Sequence, residues 1–350
     1  MTAAARVLVT GATGAVGGAV LRRLAAAGHD VHGASSNGGP APNQWAWRVG
    51  SEEPPEALRG PWHAVVHCAA DTRWNLSAVE SERANVAPLR ALLKWLDGMD
   101  GSEGTDGMDG GTRLVHLSSS YATGLTGSVL PTSPEAYRNT YEWSKAAGER
   151  LLTAERASVD IVRFPIVMGT RRDGFLDRYS GFFWLPSSLC TGAVPALVGD
   201  ENAYLDIVST DDIAEHVREL VEGDRPAGAR LTVLGGGDGA PRVAEAFDTI
   251  LDALNGWRAE NGAPALQPLP YVSGRQWNRF YLPFAREHLD RAQLTRVTAF
   301  QAYQGYLSVT EPFEATHRVD PILPTLHRSI RRWAESHPAT ARRVPRPWRP

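Results

Sequence analysis

Short apolar runs alternate with longer amphipathic segments through the first half of the chain. Apolar runs of strand length occur at 6–10, 30–34, 64–68, 113–118 and 160–167, and helical patterns occur at 14–27, 77–96 and 140–155. A continuous run of β-branched residues is typical of a strand buried on both faces, as in a parallel sheet covered by helices. The pattern therefore predicts an α/β fold with a doubly wound parallel sheet of the Rossmann type.

The regular alternation weakens after Gly169, where aromatic and Pro-rich pieces enter at 181–186 and 277–283. We predict a Rossmann core over 1–170, and over 171–335 a mixed region that adds late sheet elements and a smaller substrate lobe. The stretch from Leu326 carries seven arginines and one glutamate, so 336–350 is predicted to be a basic tail, either solvated or docking an acidic partner. The acidic, Gly-rich 97–111 is predicted to be a disordered surface insert.

Composition excludes several classes of protein. The chain has 350 residues, 43% hydrophobic and 21% charged, and a formal charge of -3, so it offers no global positive field for nucleic acid or anionic membrane. Cys68 and Cys190 lie far apart and show no metal-binding or disulfide spacing. The N-terminus lacks a signal-peptide pattern and no apolar run reaches membrane-spanning length. We expect a cytoplasmic protein with a small-molecule partner, without metal or membrane insertion.

A glycine-rich turn joins the first predicted strand to the first helix. In TGATGAVG, the glycines stand where a strand turns sharply into a helix, so backbone amides and the positive helix end can approach a pyrophosphate. The spacing is GxxGxxG rather than GxGxxG. The residues predicted to contact the cofactor here are Gly11, Thr13, Gly14, Ala15, Val16 and Gly17.

The segment after the second strand bears on the choice of coenzyme. An NAD enzyme usually offers Asp or Glu to the adenosine ribose about 20 residues beyond the first glycine, yet 31–37 (VHGASSN) contains no acid. Ser35, Ser36 and Asn37 could donate hydrogen bonds to a 2′-phosphate, with Arg48 or Arg22 supplying charge. NADP is therefore preferred and NAD is the alternative.

Tyr141 and Lys145 stand four residues apart in a predicted helix, which puts both side chains on one face. A free tyrosine has a pKa of about 10, so Lys145 and an oxidised nicotinamide would have to supply positive charge for proton transfer near neutral pH. The strand at 113–118 ends in a serine cluster at the carboxyl edge of the sheet. Ser119 is predicted to orient the substrate oxygen, with Ser120 or a purely structural role as alternatives.

Taken together, TGATGAVG, SSSYATG, NTYEWSKAAGE and IVRFPIVMG resemble the extended short-chain dehydrogenase/reductase family, over roughly 6–220. HCAADTRW, SSSYATG and ALVGDENAYLDIVSTDDIA resemble its male-sterility-type branch of fatty acyl-CoA and carrier-protein thioester reductases. The resemblance implies a Ser119, Tyr141 and Lys145 triad, with Lys145 also on the cofactor and Asn85 either near the site or on a helix surface. It further implies cofactor contacts from Ala69, Ala70, Pro165 and Val167.

The resemblance implies an NAD(P)H-dependent reductase that transfers hydride to an acyl thioester or to the derived aldehyde or ketone. The alternatives are an NAD-dependent sugar-nucleotide epimerase, dehydratase or hydroxysteroid-type dehydrogenase, and, in another class, a non-catalytic cofactor-binding protein. The substrate would be a small molecule or an acyl group on a carrier protein, and the chain could form a homodimer. The cluster Phe182, Phe183 and Trp184 would suit an apolar chain.

Overall fold

The structure is a computed structural model that describes residues 4–100, 111–346 and 348. Positions 101–110 of the predicted insert lie outside the described residues. The strands are β1 Arg6–Thr10, β2 Asp30–Ser35, β3 Gln44–Ala46, β4 Ala64–His67, β5 Arg113–Leu117, β6 Val159–Arg163, β7 Ile166–Met168, β8 Leu197–Val198, β9 Ile207–Ser209, β10 Ala229–Gly235, β11 Tyr271–Val272 and β12 His317–Arg318.

The helices alternate with these strands through the first half of the chain. They are α1 Ala15–Ala26, α2 Ala78–Ser81, α3 Ala87–Asp100, α4 Thr140–Glu155, α5 Trp184–Thr191, α6 Thr210–Glu222, α7 Val243–Glu260, α8 Gly274–Gln276, α9 Leu282–His288, α10 Arg291–Gln301, α11 Leu323–Ser336 and α12 Pro338–Ala341.

The chain divides into two compact units, of which the first comprises Met1–Pro165 and Thr210–Leu234. Its strands lie in the order β3-β2-β1-β4-β5-β6-β10, and every pair among them is parallel. Six of them follow the order of a Rossmann fold, in which ligands bind beyond the carboxyl ends of the strands. The predicted fold class is confirmed.

The strands of this sheet are apolar because helices cover them. Leu8, Val65 and Leu114, from three neighbouring strands, are fully buried in one core cluster with Trp62 and Leu92. Helix α1 packs against α6. Burying these apolar side chains stabilises the sheet, by about 1.5–3 kcal/mol for each fully buried Leu or Val. The sheet is thus a fixed platform for the residues that follow its carboxyl ends.

Two predicted elements are broken in the structure. The single strand predicted at 160–167 is wrong, because it ends at Arg163 and a separate strand, β7, starts at Ile166. Pro165 at the break has no N–H for the ladder, and β7 pairs with β9 in a sheet of its own. The single helix predicted at 77–96 is also divided, by a π-helical turn at Glu82–Val86.

The second unit comprises Ile166–Ser209 and Gly235–Pro350, so the division falls five residues before the boundary predicted at 170, with Thr210–Leu234 in the first unit. Helix α7 packs against α11, and two small parallel sheets pair β7 with β9 and β8 with β11. The predicted solvated tail begins as a packed part of this unit. The fully buried Arg258 donates to the carbonyl oxygen of Arg343 at 3.0 Å and to that of Ala341.

In the part of the chain that the structure describes, no helix combines the length and the apolar composition needed to cross a membrane.

Candidate active site

The turn between β1 and α1 is built around close backbone contacts. Gly11 has φ +69°, and a Cβ there would stand 2.7 Å from the backbone nitrogen of Ala69. A Cβ at Gly17 would overlap the carbonyl oxygen of Gly11, whereas one at Gly14 would meet that oxygen at 3.2 Å. Backbone packing within the protein therefore requires glycine at positions 11 and 17. At Gly14 the carbonyl would have to move by only a few tenths of an ångström, so the chain itself requires glycine less strictly there.

The start of α1 fits a pyrophosphate. Gly14 is its N-cap and supplies no side-chain cap, and the first turn contains no acidic residue. Helix α1 therefore presents uncapped amide groups and the positive end of its dipole to a ligand. Ala15 and Val16 are half-exposed in this first turn, and Thr13 is exposed. The predicted pyrophosphate residues thus form a cradle that fits a dinucleotide.

The end of β4 lies against this cradle. The Thr10 hydroxyl is 2.8 Å from Nδ1 of His67, and it accepts a hydrogen bond from the Ala69 amide at 3.4 Å. These bonds hold the 68–70 segment beside Gly11, where the resemblance places Ala69 and Ala70 next to the cofactor. Below them, the buried rings of His67 and His116 stack with centroids 5.4 Å apart. Burial and the charge of Lys145 lower the pKa of His67 to about 3, so that imidazole is neutral.

The start of helix α4 is held by its own cap residue, Asn139, and by Asn85 from the preceding helical segment. The Asn139 side chain caps the helix by accepting the amide of Glu142 at 3.0 Å. Asn85 is buried in the π-helical turn and donates to the Ser144 hydroxyl at 2.9 Å and to the Asp71 carbonyl at 3.0 Å. Its helix-surface alternative is thereby wrong, because Asn85 joins the loop after β4 to α4. Such π turns are frequent at functional sites.

Tyr141 and Lys145 follow on the same face of α4. The Lys145 ammonium is buried and donates to the carbonyl oxygen of Leu117, the last residue of β5, at 2.8 Å. It also lies 5.9 Å from the centre of the Tyr141 ring. Burial lowers the pKa of Lys145 to about 8, while the Cys68 sulfur and the Glu149 carboxylate act in the opposite direction. With a pKa of about 8, the ammonium is mostly charged at neutral pH.

The pKa of Tyr141 is raised, whereas proton transfer near neutral pH was expected to need a lowered one. Burial raises the pKa of the half-buried Tyr141 phenol, and the neighbouring Glu142 carboxylate adds to the rise. The reason is that Glu142 is fully buried beside it, while the Lys145 ammonium is directed to the Leu117 carbonyl. A raised pKa keeps the phenol protonated. That is the state in which a tyrosine can donate a proton during a reduction.

The three serines after β5 have different partners. Ser118 donates to the Glu149 carboxylate at 2.5 Å, and Ser119 accepts the amide of Tyr121 at 3.2 Å. The hydroxyl oxygen of Ser120 is buried with no hydrogen-bond partner among the described residues. Ser118 is thus committed to the protein, whereas the Ser119 hydroxyl hydrogen is left to donate elsewhere. Among the described residues, no partner is thus seen for the Ser120 hydroxyl, and Ser119 serves only as an acceptor.

Glu149 and Arg163 were not predicted as site residues. The Glu149 carboxylate is buried and accepts both the Ser118 hydroxyl and a bidentate pair of bonds from the Arg163 guanidinium, the shortest at 2.6 Å. A signal for Glu149 was present, since it stands four residues after Lys145 and so continues the same helix face. Nothing in the spacing pointed to Arg163, whose position depends on the pairing of β5 with β6.

The edge of β2 and β3 would hold the adenosine end of a dinucleotide. The Ser35 hydroxyl donates to the Gly38 carbonyl at 2.8 Å, and Ser36 and Asn37 are exposed. Ser35 pairs with Ala46 in the register of β2 with β3, so Arg48 follows β3 at the same edge. Arg48 is exposed and 4.0 Å from the Glu52 carboxylate. Of the two arginines considered, Arg48 is the one at this edge, since Arg22 lies two turns into α1.

The remaining predicted residues are Pro165, which lies between β6 and β7, and Val167, the middle residue of β7. Pro165 is buried, and the carbonyl of the preceding Phe164 accepts the Ser120 amide at 3.0 Å. This bond brings the residue before Pro165 to the serine cluster. Val167 belongs to the second unit, where it pairs with Val208.

The fold is that of a Rossmann-type α/β protein, as the sequence predicted. Residues 51–217, just under half of the chain, match the family model described as male sterility protein. The predicted resemblance to the male-sterility-type branch is thereby confirmed over that segment. No curated protein matches the chain.

Several solved structures are similar over almost the whole chain. MoeE5 in complex with UDP-glucose and NAD is 22% identical with a TM-score of 0.62, covering 95% of this chain and 99% of that one. The Bordetella bronchiseptica enzyme WbmH in complex with NAD+ is 17% identical with a TM-score of 0.62 and the same coverage. RMD from Pseudomonas aeruginosa, complexed with NADPH, is 18% identical with a TM-score of 0.58, again covering 95% and 99%. At these identities the likeness shows the fold.

Proposed function

We propose that the protein is an NAD(P)H-dependent reductase that acts on an acyl thioester or on the aldehyde or ketone derived from it. The observation that carries the proposal is the hydrogen bond from Lys145 to the Leu117 carbonyl. This bond brings the helix that bears Tyr141 and Lys145 to the end of β5, where the serine cluster begins. A bound reduced nicotinamide supplies the hydride. With a thioester, reduced cofactor and one proton give an aldehyde, a free thiol and oxidised cofactor.

The residues of the chain handle the proton and the oxygen in this proposal. The Tyr141 phenol donates a proton or a hydrogen bond to the substrate oxygen, and burial favours its protonated form. Ser119 accepts the Tyr121 amide and so can donate its own hydrogen to the same oxygen. Lys145 binds the ribose hydroxyls and holds positive charge beside Tyr141.

NADP is the proposed coenzyme, with NAD as the alternative. The segment that follows β2 has no carboxylate for a ribose hydroxyl, since it reads SNGGPAPN from Ser36 onward after the strand end at Ser35. Arg48 stands at the same edge, with only an exposed and distant ion pair to Glu52, which contributes little. A guanidinium there can pair with a 2′-phosphate.

The acyl group is proposed to arrive on a carrier. Arg343 and Arg346 are exposed near the C-terminus, and they would suit the acidic surface of an acyl carrier protein. In the second unit, Phe182 and Phe183 are buried while Trp184 is partly exposed, so Trp184 is the member of that cluster able to contact an apolar chain. A homodimer and a cytoplasmic location are further parts of the proposal, and the two free thiols agree with a reducing compartment.

The second candidate function is an NAD-dependent sugar-nucleotide epimerase or dehydratase. It is favoured by the likeness of the fold to MoeE5, which was solved with UDP-glucose and NAD. Such an enzyme would use the same Ser119, Tyr141 and Lys145 for oxidation and reduction of one sugar carbon. It would retain its NAD through purification.

Nicotinamide absorbance followed with NADPH or NADH, against acyl-CoAs, acylated carrier protein, aldehydes and nucleotide sugars, tests the proposal. We expect oxidation of NADPH with the thioesters or aldehydes, and loss of that activity in Tyr141→Phe. Activity confined to nucleotide sugars, with NAD bound to the purified protein, would establish the second candidate instead. Absence of turnover with every class, in a protein that still binds a coenzyme, would leave the non-catalytic cofactor-binding alternative.

A further inference from the structure

One face of α4 carries a carboxylate, that of Glu149, in line with the tyrosine and the lysine. Tyr141, Lys145 and Glu149 are each four residues apart, which stacks them along one side of the helix. Lys145 reaches the carbonyl of Leu117, and one turn later Glu149 reaches the hydroxyl of Ser118 at 2.5 Å. Two consecutive turns of α4 are thus fastened to two consecutive residues at the end of β5.

The carboxylate of Glu149 is held from a second strand as well. Nε of Arg163, the last residue of β6, is 2.9 Å from Oε1 of Glu149, and its Nη2 is 2.6 Å from Oε2. The Glu149 side chain is 4% exposed and that of Arg163 is 12% exposed. A buried bidentate pair of this kind fixes the position of the carboxylate, because separating the charges would leave one of them buried without a partner.

We propose that Glu149 is a positioning residue for Lys145, whose carboxylate, clamped by Ser118 and Arg163, keeps a negative charge one helical turn from the ammonium. The proposal rests on the proposed function in that Lys145 serves the reaction as a cation. Glu149 acts through Lys145 and Ser118 and does not itself touch the substrate. Arg163 moderates the effect, because its own positive charge offsets part of the carboxylate's attraction.

The other groups that face Lys145 contribute little charge. From β4 and its end come His67 and Cys68, and burial keeps both uncharged near neutral pH by lowering the pKa of the imidazole to about 3 and raising that of the thiol to about 12. The Cys68 sulfur therefore attracts the ammonium only as the thiolate that forms at high pH. From β5 comes His116, whose pKa is also well below its ordinary value. Tyr141 on α4 is held in its neutral form. The charged groups that remain are the Glu149 carboxylate and, through it, the Arg163 guanidinium.

The chain offers a direct way to observe Lys145. It contains only two lysines, Lys94 and Lys145, so a full-length protein made with lysine labelled with carbon-13 at Cε gives two lysine signals in an NMR titration. Lys94 is exposed on α3 and serves as an internal reference. The Lys94→Arg variant assigns the signals, and the titration of Lys145 then needs no substrate, cofactor or turnover.

We expect the titration midpoint of Lys145 to move in opposite directions in the two single variants. Wild-type Lys145 titrates near pH 8, as its pKa of about 8 requires. Glu149→Gln removes the attractive charge and leaves Arg163 unpaired, so the Lys145 midpoint falls by about 1 pH unit. Arg163→Gln removes the charge that offsets Glu149, so the Lys145 midpoint rises by about the same amount. The double variant Glu149→Gln with Arg163→Gln has no unpaired buried charge and lies between the two.

Asp97→Asn is the matched control, since it makes the same carboxylate-to-amide change in an exposed ion pair with Arg156 on the neighbouring helices. It should leave the Lys145 midpoint unchanged. If one single variant fails to fold, the other still decides the matter by the direction in which its Lys145 midpoint moves relative to wild type and Asp97→Asn. Midpoints of Lys145 that do not move, or that move in the same direction in both single variants, would overturn the proposal. A correct titration in a protein without reductase activity would instead count against the proposed function alone.

Discussion

The Lys145 ammonium donates a 2.8 Å hydrogen bond to the carbonyl oxygen of Leu117, the residue that ends β5. This bond joins the helix that carries Tyr141 to the strand that leads into Ser118–Ser120. It explains how a pair defined by spacing along one helix is brought to a fixed position at the carboxyl edge of the sheet. Lys145 therefore has two roles, because it holds α4 against the end of β5 and also supplies the positive charge of the site.

Tyr141→Phe should lower kcat by about 10²- to 10⁴-fold, because it removes the proton donor while retaining the ring. The dissociation constant for NADPH should change by less than about threefold, since the phenol hydroxyl contributes little to binding the dinucleotide. Steady-state kinetics and fluorescence titration measure the two quantities. Tyr137→Phe is the control, because its phenol bonds to loop carbonyls at Val129 and Pro131 and to the Arg150 guanidinium. Turnover of Tyr141→Phe equal to wild type would remove this residue from the chemistry.

Arg48→Ala should weaken the binding of NADPH by about tenfold, the effect of losing one charge-assisted bond of about 1.4 kcal/mol, and should leave NADH binding unchanged. The reason is that Arg48 follows β3 beside the end of β2, where a 2′-phosphate would lie. Titration calorimetry with both coenzymes checks this. Arg22→Ala, two turns into α1, should alter neither affinity. NADH bound as tightly as NADPH by wild type would contradict the assignment of the coenzyme.

Gly14→Ala and Gly17→Ala should fail in different ways. A Cβ at Gly17 would overlap the Gly11 carbonyl, so Gly17→Ala should lower the free energy of unfolding by about 1–3 kcal/mol, as overpacking does. A Cβ at Gly14 would meet the same oxygen at 3.2 Å, a tight contact that a small shift relieves, so Gly14→Ala should lose less stability than Gly17→Ala. It should lose coenzyme affinity, because the added methyl group would lie at the pyrophosphate cradle. Thermal unfolding with and without NADPH separates the two effects. Equal destabilisation of both variants would show that this description of the turn is incorrect.

Asp206 in the second unit should make the protein less stable as pH rises from about 4 to about 6. Burial raises the pKa of this carboxyl from 3.8 to about 6, and its Oδ2 has no partner among the described residues. Because the folded state binds this proton more tightly than the unfolded state, the stability it contributes is complete at low pH. That stability, at most about 3 kcal/mol, is lost as pH rises through 6.

Urea unfolding of wild type and Asp206→Asn across this pH range measures the effect. The difference in unfolding free energy between the two proteins should change with pH, since the asparagine cannot titrate. Parallel pH profiles for the two proteins would rule out Asp206 as the source.

Local pattern was sufficient for much of the first unit. β-branched runs predicted β1, β4 and β5 within a residue or two, and the helical pattern at 140–155 matches α4 at both ends. These elements agree with the sequence because their burial is set by the sheet they form. The strand predicted through Pro165 was wrong, since the second half pairs with β9, more than 35 residues further along the chain.

The site was predictable where chemistry depends on spacing along one element. Tyr141 and Lys145 follow from helical periodicity, and the glycine turn follows from its place between strand and helix. The partners of Ser118 and the role of Asn85 depend on which elements meet in space, so no local pattern could assign them. Which of Ser119 and Ser120 serves the substrate depends on hydroxyl directions that no residue pattern encodes.

The most direct measurement is a crystal structure of the protein with NADP bound. The account predicts the pyrophosphate at the start of α1 against Gly11, Gly14 and Gly17, the 2′-phosphate beside Arg48, and the nicotinamide ring within reach of the Tyr141 hydroxyl. Coenzyme bound elsewhere on the protein, or a nicotinamide ring out of contact with Tyr141 and Lys145, would contradict it.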